Sequence, residues 1–148
     1  MHENIKSQIK EALLKRDAVR LTVLRGLLSS FTNELIAKGQ KPQETLGDEE
    51  ALTVIKRSVK QRRDSIEQYR NGGRDDLVKE EELELKILET FLPESMPADE
   101  IKKIAEAKKA ELGIDDKSKL GILIGTVIRE SKGRADGAEI KNIVESLF

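Results

Sequence analysis

The chain of 148 residues has no cysteine and no tryptophan, one histidine, one tyrosine and three phenylalanines. Without cysteine there are no disulfides, zinc ribbons, iron–sulfur ligands or thiol nucleophiles. The histidine, His2, lies at a terminus expected to be mobile, which leaves no imidazole for acid–base work or a histidine-rich metal site. Aromatic residues make up only 3% of the chain, which suits a thin aliphatic core rather than a large buried sheet or a deep cofactor cavity. No apolar run approaches the roughly 18 residues of a membrane-spanning helix. The opening Met1-His2-Glu3-Asn4-Ile5-Lys6 has no apolar signal core, so the expected location is the cytoplasm. A charge surplus is lacking too. Lys and Arg total 27 against 28 Asp and Glu, so nothing draws the whole molecule to a polyanion, and any such contact needs a local patch.

What is present is helical periodicity. Ile5, Ile9, Ala12 and Leu13 form one apolar stripe, and Leu21, Leu24, Leu27, Leu28, Phe31 and Leu35 form a longer one that stops at Gly39. Asp48 is placed to cap a third segment bearing Leu52, Ile55, Val59, Ile66 and Tyr69. Gly72-Gly73 breaks the chain, and Leu77, Leu85, Leu88, Phe91 and Leu92 carry a fourth segment to Pro93. Pro93 and Pro97 bracket the best candidate linker, because proline disfavours helical geometry in the residue before it. Three shorter segments follow, carrying Ile101 to Leu112, Leu120 to Ile128 with Ser118 as a candidate cap, and Ile140 to Leu147 with Asp136 as a candidate cap. The expected fold is all-α: a helical domain over residues 1–92, a linker over 93–98, and a three-helix bundle over 99–148.

The features that carry chemistry lie mostly in the last third. Gly121 and Gly125 stand four apart, on one helix face, which reads either as close helix packing or as a flat surface for an RNA backbone or partner helix. Lys132-Gly133-Arg134-Ala135-Asp136-Gly137 suits a turn into a helix, whose free N–H groups would meet an anion with Lys132 and Arg134 adding charge; a capped turn with solvated bases is the plainer reading. Between residues 117 and 141, Lys117, Lys119, Arg129, Lys132, Arg134 and Lys141 outnumber Glu130, Asp136 and Glu139. A second basic tract, Lys56 to Arg63, either tracks a phosphate backbone or is a solvated face. Ser118-Lys119 and Ser131-Lys132 are adjacent in sequence only, with no activating base or oxyanion loop. The acidic residues of Glu80 to Glu84 spread around a helix start, so no metal site and no cofactor are expected.

Five strings occur in order: Arg20-Leu21-Thr22-Val23-Leu24-Arg25, Lys60-Gln61-Arg62-Arg63-Asp64-Ser65-Ile66, Gly73-Arg74-Asp75-Asp76-Leu77, Leu88-Glu89-Thr90-Phe91-Leu92-Pro93 and Gly133-Arg134-Ala135-Asp136-Gly137. Together they make the chain resemble the YqeY-like (GatB/YqeY) proteins over nearly its whole length. The resemblance implies two helical domains, the second similar to the tail of the B subunit of glutamyl/aspartyl-tRNA amidotransferase, which helps hold tRNA while another domain performs the chemistry. It also brings a family label of carbon–nitrogen ligase with glutamine as amido donor. It puts Gly133, Arg134, Ala135, Asp136 and Gly137 on the tail's turn motif, with the Gly121 and Gly125 helix before it. A basic residue commonly follows the first of those glycines, where this chain has Ile122.

The expectation is therefore an accessory module without a catalytic site that binds tRNA or a tRNA-handling enzyme. Lys117, Lys119, Arg129, Lys132, Arg134 and Lys141 would meet phosphates, while Gly121, Gly125, Gly133, Asp136 and Gly137 permit close approach. The alternative is a protein-interaction module whose partner makes every contact with RNA.

Overall fold

Apolar stripes at helical spacing, broken by glycine and proline, produce helices throughout. A computed structural model describes residues 1–148, which form seven α-helices and one 3-10 turn with no strand. The expected all-α class is what the chain adopts. It divides into two compact units, Met1–Leu92 and Pro93–Phe148.

The first unit contains α1 (His2–Leu14), α2 (Ala18–Ala37), α3 (Asp48–Asn71) and α4 (Asp75–Glu89). Between α1 and α2, Arg16 takes a left-handed φ of 54°, and the Asp17 carboxylate accepts from the Arg20 N–H at 3.1 Å to cap α2. Past α2, Gly39 supplies a φ of 74°, letting Gln40 N–H return to the Leu35 carbonyl at 2.9 Å. The residue at the head of α3 is Gly47, not Asp48; the Asp48 carboxylate instead receives the Met1 ammonium at 2.9 Å. Ile5, Leu24, Phe31, Leu35, Ile55 and Leu88 are fully buried, so all four helices contribute to one core.

His2 is not in a mobile terminus. It is only 3% exposed; its ring lies 5.1 Å from that of Phe31, and its Nδ1 accepts from the Leu46 N–H at 3.0 Å. Sequence position suggested a loose end, but Ile5 anchors α1 in the core and carries His2 inward with it. Burial, assisted by Lys6, holds the imidazole pKa below its ordinary 6.5.

The second unit contains α5 (Ala98–Leu112), a 3-10 turn (Lys117–Lys119), α6 (Leu120–Glu130) and α7 (Gly137–Glu145). Its core holds Met96, Ile101, Ala105, Ile114, Leu123, Val127, Ile140 and Val144. Gly113, at a φ of 62°, ends α5. The carboxylate that caps the 3-10 turn is that of Asp116, which accepts from the Ser118 N–H at 3.1 Å; Ser118 itself is not the cap. This contact and the Ser118 hydroxyl hold the Asp116 pKa below its usual value. Lys109 fixes the C-terminus, donating to the Leu147 carbonyl at 3.0 Å and lying 4.3 Å over the Phe148 ring.

The state of His2 generates a pH prediction. The folded state holds it neutral, whereas the unfolded chain protonates it near 6.5, so the unfolded state binds more protons as pH falls through that value. Stability contributed above pH 6.5 is lost on acidification, by at most about 1 kcal/mol for one group between pH 6.5 and 5.5. Thermal melts followed by circular dichroism should show this loss. A His2→Asn variant, which keeps an acceptor but does not titrate, should start from a lower melting temperature and show a flatter dependence across that interval.

Candidate nucleic-acid interface

In the second unit α6 turns Leu123 and Val127 into the core, which aims the opposite arc of the helix outward. Lys119, Ile122, Thr126 and Arg129 follow one another along that arc at helical spacing, with Gly121, Gly125 and Ile128 beside them. The Thr126 hydroxyl donates to the Ile122 carbonyl at 2.9 Å and accepts from Arg129 Nη2 at 3.4 Å, holding the guanidinium along the helix. Ile122 is 59% exposed and Ile128 44%. The sole acidic residue of α6 is Glu130, and its carboxylate lies 3.8 Å from Lys108 Nζ.

Gly121 and Gly125 do not serve close helix packing. A Cβ built on either meets nothing within 4 Å, so the packing reading of this pair is corrected: the glycines flatten an open surface. The cations stand at its two ends. Lys117 and Lys119 lie exposed at the start of α6, Arg129 and Lys132 at its finish, and none of the four is in an ion pair. Ten residues of helix put Lys119 and Arg129 about 15 Å apart, the run of about four phosphates along one strand of a duplex.

The other two members of the expected set do not join them. Arg134 faces inward: its Nη1 and Nη2 donate to the two Glu100 carboxylate oxygens at 3.1 and 3.4 Å, and its Nε to the Glu94 carbonyl at 3.1 Å. Its own carbonyl accepts from the Met96 N–H at 2.8 Å. The reason is local: Lys132 and Gly133 take left-handed φ values of 50° and 79°, and the reversed chain brings Arg134 over the start of α5. Lys141 lies on α7, its Nζ 3.9 Å from Glu145. Asp136 stands at the N-cap of α7 but makes no side-chain capping bond, and Gly137 opens the helix with free space around it. The anion cradle drawn from the turn motif thus lacks its arginine. Ser131 is buried, and its hydroxyl donates to the Ile128 carbonyl at 2.7 Å, so it offers no nucleophile.

The three arginines of the second basic tract are engaged inside the first unit. Arg57 pairs with Glu34 at 3.2 Å, Arg63 with Glu89 at 3.0 Å, and Arg62 with both Glu81 and Glu84. Sequence reading missed two features there. Leu14 is 86% exposed at the end of α1, near Leu13 and Val19; its only signal was a second leucine beside one already on the stripe. A cleft of about 320 Å3 opens among α2, α3 and α4, and small residues at helical spacing on facing helices were its signal.

Comparison with known proteins bears on this geometry. A profile of the family described as Yqey-like protein matches residues 2–148. Relatives include the protein named Altered inheritance of mitochondria protein 41, mitochondrial, from Kluyveromyces lactis, 30% identical over 97% of this chain and 80% of the relative. Its namesake from Lachancea thermotolerans is 38% identical over 60% of this chain and 46% of the relative. That from Eremothecium gossypii is 32% identical over 60% and 47%. In these last two the matched stretch spans about half of the relative's length. The names place these relatives in mitochondria. In this chain no helix is long and apolar enough to cross a membrane.

The inward Arg134 makes a testable distinction. Arg134→Ala removes charge-assisted bonds to Glu100 and Glu94 from a partly exposed site, and should lower the stability of the second unit by about 1–2 kcal/mol in a denaturant titration. At temperatures where the variant stays folded, its affinity for a polyanion should match the parent's, whereas Lys132→Ala should show the reverse pattern.

Proposed function

The chain belongs to the Yqey-like protein family, and from that premise we propose that it is a non-catalytic accessory module that holds tRNA through its second unit, in the setting of tRNA-dependent amidation. The observation that carries this reading is the outward arc of α6, where four cations outside any ion pair flank a flattened glycine and isoleucine surface, and the helix's one carboxylate, Glu130, lies beside Lys108. Phosphates would meet Lys117, Lys119, Arg129 and Lys132. Gly121 and Gly125 would let the RNA backbone approach the helix without side chains intervening. Recognition of this kind follows shape and phosphate position rather than base sequence. The resemblance to the amidotransferase B-subunit tail supports tRNA as the polyanion. It needs no chemistry of its own from this chain, and the carbon–nitrogen ligase label then belongs to the enzyme that the module serves. The reading places the protein where tRNA is handled, which for this chain we take to be the cytoplasm.

A second reading rests on Ile122 and Ile128. Two exposed isoleucines on the same arc favour a protein partner, in which case the module docks on a tRNA-handling enzyme without touching RNA. Capture from extract before and after nuclease treatment separates the readings, since capture through protein survives removal of RNA.

Direct binding is measured by fluorescence anisotropy with bulk tRNA at two salt concentrations. The expected result is micromolar binding that weakens steeply with salt; absence of binding even at low salt rejects direct recognition. Lys119→Ala and Arg129→Ala should each weaken binding severalfold and reduce the salt slope by about 1. Gly121→Ala and Gly125→Ala should each stabilise α6 by about 0.5–1 kcal/mol, because the added methyl meets only open space, and should nonetheless weaken tRNA binding by obstructing the approach.

A further inference from the structure

The cleft in the first unit has a chemistry of its own, separate from the α6 surface. Along α2 it is walled by Val23, Gly26, Leu27 and Ser30, and along α3 by Ser58, Gln61, Arg62 and Ser65, with Glu81 and Leu88 entering from α4. It holds about 320 Å3 and is open to solvent on one side, the size range of small-molecule sites. It exists because facing positions of α2 and α3 carry glycine and serine. Nothing lies within 4 Å of where a Gly26 side chain would begin, so the seam between the two helices is left unfilled.

Its polar groups select a kind of ligand. Arg62 is the one cation in the wall, and its Nη1 is shared by Glu81, at 3.0 Å, and Glu84. These three side chains are each about three-quarters buried and leave one negative charge in surplus, which disfavours an anion. The wall contains no aromatic ring to stack on a base or a sugar, and a single carboxylate is too few for a hard metal ion. Acceptors dominate. Glu81 uses Oε2 for Arg62 and has Oε1 left over. Ser30 has already given its proton to the Gly26 carbonyl at 3.1 Å, so its oxygen is left to accept. The side chains of Ser58, Gln61 and Ser65 make no hydrogen bond within the protein. Val23, Leu27 and Leu88 close the floor of the cleft and are themselves almost wholly buried. We propose that this cleft is a binding site for an aliphatic diamine or polyamine, with one ammonium at Glu81 Oε1 and the serine oxygens and the rest of the chain lying in the open seam left at Gly26.

Isothermal titration calorimetry of the full chain with spermidine tests the assignment, with 1,4-butanediol and succinate as neutral and anionic aliphatic controls. The expected result is saturable binding of one equivalent with a dissociation constant below about 1 mM, and no heat from either control. Each 1.4 kcal/mol of interaction removed is a tenfold change. Glu81→Gln, which removes the surplus charge, should weaken spermidine by about tenfold or more. Gly26→Leu fills the cleft without touching a charge. It should abolish binding while keeping or raising the melting temperature, since the new side chain enters open space and replaces a helix glycine. Glu106→Gln, on an exposed face of the second unit, should bind as the parent does. Absence of saturable binding by the parent, equal binding by Glu81→Gln and Gly26→Leu, or equal binding of succinate or the diol would overturn the proposal.

Discussion

Ion pairing between helices decides which cations of this nearly neutral chain remain available to a ligand. With 27 bases and 28 acids, the outcome depends on which side chains the fold sets opposite one another. Arg57, Arg62, Arg63, Arg70 and Arg74 all meet a carboxylate within the first unit, and Arg134 meets one in the second. Most of these pairs are exposed and individually weak. Their collective effect is on potential rather than stability: the arginines of a basic run that looks like a polyanion site are each set against a carboxylate. The α6 arc escapes because its one acidic residue turns toward Lys108.

The two units are small, and small bundles bury a modest fraction of their surface. Contacts at their ends therefore matter to their cohesion. In the first, Ile5 and His2 bring the N-terminus into the core, and Asp48 receives the terminal ammonium. In the second, Lys109 ties down the last two residues, while Arg134 joins the segment before α5 to the turn before α7. A motif arginine that resembles a ligand contact in sequence is thus a clamp in the fold. Its guanidinium forks onto both oxygens of Glu100, an arrangement a lysine could not reproduce.

Glycine and serine perform the opposite task, keeping surfaces open. Gly121 and Gly125 flatten α6, and Gly26 with Ser30, Ser58 and Ser65 leaves a channel between α2 and α3. In neither place is the glycine needed for a left-handed backbone; those in that conformation are Gly39, Gly73, Gly113 and Gly133, all at or just beyond helix ends. A helix-interior glycine costs about 1 kcal/mol relative to alanine. Retaining three of them with nothing packed against the missing Cβ is consistent with surfaces shaped for something other than stability.

The sequence by itself determined the helices and their approximate limits, because apolar spacing and chain-breaking residues act locally. Through five ordered strings it also indicated the family. It did not determine where Asp48, Ser118 or His2 would point, since a cap and a buried terminus depend on a few ångströms of chain path. Nor could it say that Lys117, Lys119, Arg129 and Lys132 stay out of ion pairs while Arg134 and the arginines of the Lys56–Arg63 tract are engaged by carboxylates, many of them distant in sequence. Coulomb attraction falls with distance in space, and separation along the chain does not report that distance once helices have packed. The cleft was hidden for the same reason: a void belongs to the gap between helices, and only their packing created one.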